Sequence, residues 1–273
     1  MKKIIFYILS FMAPKTFSKF AYNIINNPQN KTLNYKPEEL KILNKAHQKN
    51  YIFENYLIKT YRWGEKGKRI LFIHGWEGRA SNFSKLIEKI LKKNYSLYAF
   101  DAPSHGFSDI SKNTMKDFNK FLLLFIKKIK PDIIITHSFG AVPTTYSLNI
   151  DKTQLIKKLI LFAPPNRFSD RVNDIIKTTG VCKKIIKHLI KKIENEYGLP
   201  FENLNISDFI NKINVNDTLI LHDENDKICS IDYSKEIHKK LPNSKLEILK
   251  DTGHFRILSN DIAINKVINF INS

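Results

Sequence analysis

What constrains this chain most is a rhythm that sets in at Arg69. From there on, short apolar runs alternate with longer segments whose apolar residues recur at helical spacing. The runs Arg69 to Ile73, Ser96 to Phe100, Ile133 to Ile135, Lys158 to Phe162, Thr218 to Leu221 and Leu246 to Leu249 are too short for helices. In Arg69 to Ile73 and Ile133 to Ile135 the hydrophobic residues stand side by side, as in strands buried on both faces. Between the runs the pattern predicts helices over Ser81 to Lys93, from Thr114, and over Asp261 to Ile271. Thr114 with Asp117 three residues on reads as a capping-box start. Phe118, Phe121, Leu122, Phe125, Ile126 and Ile129 then share one helical face. Strand and helix in such alternation mean an α/β fold, a mostly parallel sheet with right-handed crossovers and helices on both sides.

Ahead of the rhythm, Pro37 to about Gln48 reads as a helix carrying Leu40, Leu43 and His47. Tyr51 to Trp63 reads as one or two edge strands, and Gly64-Glu65-Lys66-Gly67 as a hairpin-type turn. One stretch breaks the alternation. Between Ala163 and Thr218 there is no strand signal, while Val181, Ile185, Ile186, Leu189, Ile190 and Ile193 recur at helical spacing until Gly198-Leu199-Pro200.

With 273 residues there is room for one large domain, or one with an insert. The formal net charge of +19 raises the question of nucleic acid, but the lysines are scattered over the whole chain and form no nucleic-acid module. We therefore expect no nucleic-acid partner. Cys182 and Cys229 fit neither a metal spacing nor a disulfide framework, which points to a reducing compartment and a cytoplasmic protein. At the N-terminus an apolar stretch from Ile4 to Ala13 is too short to span a bilayer, and Pro14 follows it with no small-residue cleavage site. Phe17, Phe20, Ala21, Ile24 and Ile25 then share a face of a helix expected over Pro14 to Asn27. Packing onto the protein is the favoured reading. Weak peripheral membrane contact is the next, since the first fifty residues hold nine Lys against two Glu, and export is the least favoured.

The chemistry gathers where the strands end. Ile133-Ile134-Ile135 stops at Thr136-His137-Ser138-Phe139-Gly140-Ala141, a serine set between a strand and a helix-compatible segment with small residues just after it. This resembles the nucleophile elbow of the α/β-hydrolases, G-x-S-x-G, except that Thr136 stands in place of the first glycine. The resemblance extends over Tyr51 to Ser273. It implies a serine hydrolase, esterase- or lipase-like, whose chain order is Ser, acid, His. After Ser138, the segment Leu219 to Ile228 resembles the strand-then-acid segment, with Asp226 at the acid's place. Asp223 lies close to the strand and reads as a turn former; Glu224 shares the loop. Asp251-Thr252-Gly253-His254 resembles the histidine loop. The implied catalytic residues are thus Ser138, Asp226 and His254, on loops at the carboxyl edge of the sheet, where ligands bind in open α/β folds.

The resemblance further implies an oxyanion hole made by the backbone N–H groups of Trp76, in His74-Gly75-Trp76, and Phe139, with His74 holding its loop. Asp101 to Ser108 is similar to a structural turn of the family, with Ser104 in place of a glycine. His137 and His222 flank the site and are candidates to touch substrate. His47, His188 and His238 fall on helical stretches and are read as structural. Residues 1–50 are taken as an N-terminal extension, 51–273 as the hydrolase domain, and 167–215 as a helical lid, which with nine basic and six acidic residues is not distinctively basic. The expected partner is a small-molecule ester cleaved through an acyl-enzyme, without cofactor or metal. Acyl transfer, amide or peptide cleavage on the same triad, and non-catalytic ligand binding are the alternatives.

Overall fold

The structure, a computed structural model, describes residues 14–29, 33–167, 169–170, 183–198 and 200–273. Eight strands form one sheet: β1 (His47–Phe53), β2 (Tyr56–Trp63), β3 (Lys68–Ile73), β4 (Tyr95–Phe100), β5 (Ile133–His137), β6 (Ile156–Phe162), β7 (Val215–Asp223) and β8 (Ser244–Leu249). Their spatial order is β1-β2-β4-β3-β5-β6-β7-β8. β2 pairs antiparallel with β1 and β4, and every pairing from β4 across to β8 is parallel. The described helices are α1 (Pro14–Asn26), α2 (Pro37–Asn44), α3 (Ser84–Ile90), α4 (Thr114–Ile129), α5 (Ala141–Ile150), α6 (Lys183–Tyr197), α7 (Ile206–Phe209), α8 (Ile231–Lys240) and α9 (Asp261–Asn272).

The period of two along the central strands divides the core into two layers. Phe72, Ile133, Ile135, Ile160, Phe162, Leu219 and Leu221 face α3 and α9. Leu71, Ile73, Ile134, Leu159, Leu161 and Ile220 face α4, α5 and α8. All five residues of β5 are buried, which is why its isoleucines run without interruption. The strand carrying Ser138 is thus held by packing on both faces and by parallel neighbours at both edges.

Three expectations need correction. The helix from Pro37 ends at Asn44, where the N–H groups of Lys45 and Ala46 close onto the carbonyls of Ile42 and Leu43. His47 and Gln48 belong to β1, and His47 pairs with Arg62. Pairing with β2 prevails there over a helical spacing of apolar residues. Gly64 to Gly67 is not a hairpin turn, because β4 lies between β2 and β3. Gly67 is nonetheless required: its φ is +89°, and a Cβ would stand 2.0 Å from the Asn94 carbonyl oxygen. Finally, the N-cap of α4 is Asn113, whose side chain accepts from the Lys116 N–H. Asp117 instead accepts hydrogen bonds from the Tyr56 and Ser111 hydroxyls.

Between β6 and β7 the described residues hold α6, α7 and two short 3₁₀ turns, and no strand. Leu189 and Ile193 of α6 join Met115, Phe201, Leu204 and Phe209 in a third apolar cluster, against which Tyr22, Trp76, Phe139 and Tyr146 pack. Of the residues expected to line the helix here, Val181 lies outside the described residues. α1 rests beside α6: the Lys192 ammonium stands 3.3 Å from the centre of the Tyr22 ring. Asn27, the residue after α1, reaches α4, where Thr114 Oγ1 donates to its Oδ1 at 2.7 Å. Among the described residues no helix is long and apolar enough to cross a membrane.

Candidate active site

β5 ends at His137 and the chain turns sharply, Ser138 taking φ +50° before α5 begins. A left-handed backbone at a non-glycine residue costs of order 1 kcal/mol and persists only where the surroundings enforce it. Gly140 shows what enforces it here. A Cβ at that position would lie 2.6 Å from the His74 carbonyl oxygen and 2.7 Å from that of Ile73, so only glycine lets the turn approach the end of β3. Thr136, where the family pattern has its first glycine, is accommodated as a fully buried residue of β5 paired with Ile73 and Leu161.

The turn brings Ser138 Oγ to 2.9 Å from His254 Nε2, and His254 Nδ1 to 2.7 Å from Asp226 Oδ2. The three residues anticipated from the sequence therefore form one hydrogen-bonded line, drawn from the ends of β5, β7 and β8. Because a carboxylate only accepts, Nδ1 carries the proton, and Nε2 is left bare to accept from the serine hydroxyl. Asp226 Oδ1 accepts the N–H groups of Ile228 (2.7 Å) and Cys229 (3.0 Å). Burial opposes a charge on Asp226, but the hydrogen bonds from His222, His254 and these two amides outweigh it and hold the carboxyl far below the ordinary carboxylate range.

Asp223 has a second task beyond its turn. Oδ1 accepts from the Asn225 N–H at 2.9 Å, as a turn former would. Oδ2 reaches across to the loop after β8 and accepts from the Thr252 N–H and hydroxyl and from the Gly253 N–H at 2.5, 2.8 and 3.0 Å. It braces the loop that presents His254, a role invisible in sequence because its partners lie about thirty positions away. Burial works against its charge, and the Gly253, Thr252 and Asn225 donors bring its pKa below the ordinary value.

His137 and His222, flagged as flanking residues, are both buried and turned inward. His137 Nε2 lies 2.9 Å from the His254 carbonyl oxygen. His222 lies 2.6 Å from Ser234 Oγ through Nδ1, and 3.0 Å from the Cys229 carbonyl and 3.4 Å from Asp226 Oδ2 through Nε2. His188 and His238 lie in α6 and α8.

The loop after β3 closes the other side. His74 donates from Nδ1 to the Gly75 carbonyl (2.7 Å) and accepts at Nε2 from the Ala102 N–H (2.9 Å). Complete burial pushes its pKa down to about 4, so the ring is neutral and structural, as the resemblance implied. Arg79 anchors the loop's end to α2 through a buried pair with Glu39 at 2.8 Å. Asp101 fixes the following turn, accepting from the Ala80 N–H, the Tyr61 hydroxyl and the Phe107 N–H. Gly75 passes so near the serine that a Cβ there would lie 3.0 Å from Ser138 Cβ. The Trp76 and Phe139 rings meet edge-on at 5.1 Å, which sets the two residues side by side next to Ser138.

A narrow apolar cleft adjoins Phe139 and is lined by Met115, Asn119, Val142, Tyr146, Leu204 and Phe209. Leu204 and Phe209 come from the segment between β6 and β7. Among the described residues no group of three or more His, Cys, Asp or Glu is placed to hold a metal ion.

A mostly parallel sheet in this order, with a serine on a strained turn after β5 and an acid and a histidine after β7 and β8, defines an α/β-hydrolase. Residues 64–203, just over half of the chain, match the family described as serine aminopeptidase, S33, and the chain belongs to that family. It is 25% identical to the uncharacterized hydrolase YugF of Bacillus subtilis over 68% of this chain and 82% of that one. A Mycoplasma genitalium protein, whose name assigns it provisionally to the esterases and lipases, is 29% identical over 46% of this chain and 47% of its own length. Among solved structures, an esterase of Pyrococcus furiosus superposes with a TM-score of 0.62 at 18% identity, covering 90% of this chain and 96% of that one. That likeness is one of fold.

Proposed function

We propose that this hydrolase cleaves carboxylic esters with an apolar acyl group, through an acyl-enzyme on Ser138. The observation that carries the reading is the line from Ser138 Oγ through both nitrogens of His254 to Asp226. As Ser138 Oγ bonds to the ester carbonyl carbon, His254 Nε2 takes its proton, and the ionised Asp226 stabilises the imidazolium that forms. The carbonyl oxygen, now an oxyanion, accepts from the N–H groups of Phe139 and Trp76. The intermediate collapses by breaking the bond to the alcohol oxygen, which leaves with the proton from Nε2. Water then repeats the sequence. His254 removes its proton, the hydroxyl adds to the acyl carbon, and Ser138 Oγ departs reprotonated as the acid is released.

The apolar cleft beside Phe139 suits the acyl group, and the α6–α7 segment that supplies Leu204 and Phe209 acts as the lid. The family description makes aminopeptidase chemistry the second reading. A free N-terminal ammonium calls for a carboxylate partner, yet Asp223 and Asp226 already spend their oxygens on donors of their own loops and on His254. Neither of these two acids is thus left to anchor an ammonium. The test is a set of p-nitrophenyl esters of increasing acyl length, run beside aminoacyl p-nitroanilides and labelling by a fluorophosphonate. We expect esters to exceed anilides and labelling to vanish in Ser138→Ala. Faster anilide turnover would install the aminopeptidase reading. Absence of both turnover and labelling in the folded protein would leave a ligand-binding relative.

A further inference from the structure

We propose that His137 is a positioning residue for this reaction: its Nε2–H, donated to the backbone carbonyl of His254, locks the general base against the strand that carries the nucleophile. The inference rests on the serine-hydrolase reading above and adds a residue to it.

The argument begins with covalent adjacency. His137 is the last residue of β5 and Ser138 is the next residue in the chain. His137 Nε2 lies 2.9 Å from the His254 carbonyl oxygen, and Ser138 Oγ lies 2.9 Å from His254 Nε2. Two neighbours on one side are thus joined to one residue on the other by two hydrogen bonds, one to its backbone and one to its ring. These close a small cycle, so neither His254 nor the serine turn can shift without breaking the other bond. The brace from Asp223 ends at Thr252 and Gly253. His137 supplies the tie to the backbone of residue 254 itself.

Charge explains why this tie suits a neutral imidazole. A carbonyl only accepts, so Nε2 must carry the proton. Burial, and then the neighbouring His254, push the pKa of His137 down to about 3. The His137 and His254 rings stand 4.9 Å apart between centres. His254 is faced by Asp226 from the β7–α8 loop and by His137 from β5. His222 stands behind Asp226, and His74, on the loop after β3, adds its influence to His137. A residue 137 that took up a proton would oppose the positive charge His254 gains during transfer. A buried neutral ring orients without opposing.

The test compares wild type, His137→Phe, which keeps a ring but loses the donor, and His137→Gln, which restores an N–H on a flexible side chain. Small misplacements of reacting groups cost up to about 10²-fold in rate. We expect kcat for the preferred ester to fall about 30- to 100-fold in His137→Phe with KM changed less than about threefold. His137→Gln should regain about tenfold of that loss. A second readout is the low-field proton resonance of His254 Nδ1–H, expected in wild type, lost in His137→Phe and restored in His137→Gln. If His137→Phe does not fold, His137→Asn, whose amide stops short of the carbonyl, takes its place with the same expectations. A folded variant without the tie, His137→Phe or His137→Asn, that keeps kcat within about threefold and retains the resonance overturns the proposal. Wild type that neither turns over esters nor takes the phosphonate defeats the functional reading instead, and the resonance comparison then decides the tie by itself.

Discussion

Replacing Asp226 by asparagine isolates the tautomer of His254 from everything else at the site. The side chain is isosteric, and its amide oxygen can still accept from the Ile228 and Cys229 N–H groups that Oδ1 serves now. The change falls on the oxygen 2.7 Å from His254 Nδ1, which becomes an NH₂ group that can only donate. His254 must then present a bare Nδ1 and move its proton to Nε2, aimed at Ser138 Oγ. The base is lost without being removed. The same change in a well-studied serine triad costs about 10⁴ in turnover, equivalent to about 5 kcal/mol of barrier. We expect Asp226→Asn to lower kcat by at least about 10², with KM little changed. Asp223→Asn is the control. Its remaining oxygen can keep the Thr252 and Gly253 donors while the tie to Asn225 is lost, a cost of roughly 1–2 kcal/mol in stability and far less in turnover. Steady-state kinetics and urea midpoints on both variants decide the matter. If Asp223→Asn lost turnover and Asp226→Asn kept it, the acid would be misassigned, while the roles of Ser138 and His254 would stand.

Gly140→Ala should lose phosphonate labelling and roughly 1–3 kcal/mol of stability, since its Cβ would press on two backbone carbonyls of β3 and the following loop; retained labelling would refute the close approach. Leu204→Trp should fill the cleft beside Phe139, cutting kcat/KM for long-chain esters at least about tenfold while sparing acetyl esters. An unchanged chain-length profile would place the acyl group elsewhere. Acid should destabilise the fold well above the carboxylate range. His74 and His137 are held neutral, with pKa values of about 4 and about 3 against 6.5 in the unfolded chain. Below 6.5 the unfolded state therefore binds protons that the native state does not, and stability falls as pH drops toward 4. The loss from pH 7.5 to pH 5 should be roughly 2–4 kcal/mol. A urea midpoint flat over that interval would show that these rings are not buried neutral.

What could be read from the sequence follows from where each signal resides. β3, β5, β6 and β7 announce themselves because burial on both faces leaves an unbroken apolar run, as in Ile133 to Ile135. β1 does not, since His47 to Asn50 are exposed and only pairing with β2 makes them a strand. The same absence of signal let the helix from Pro37 run too far. Ser138, Asp226 and His254 were legible by chain order and by their places after strands. The bracing by Asp223 was not, because Thr252 and Gly253 are distant in sequence and meet it only through the parallel pairing of β7 with β8. His137 and His222 stand out in the sequence only as flanking residues and candidates to touch substrate. Whether a flanking side chain turns outward or back into the loops is decided by packing.

The left-handed backbone at Ser138 sets activity against robustness. Glycine adopts that conformation at no steric cost, so Ser138→Gly would relieve the turn while deleting the proposed nucleophile. A library selected for heat resistance alone is therefore free to discard residue 138's hydroxyl, and survivors that did so would lack the proposed nucleophile. Any campaign to harden this protein has to score turnover in the same round.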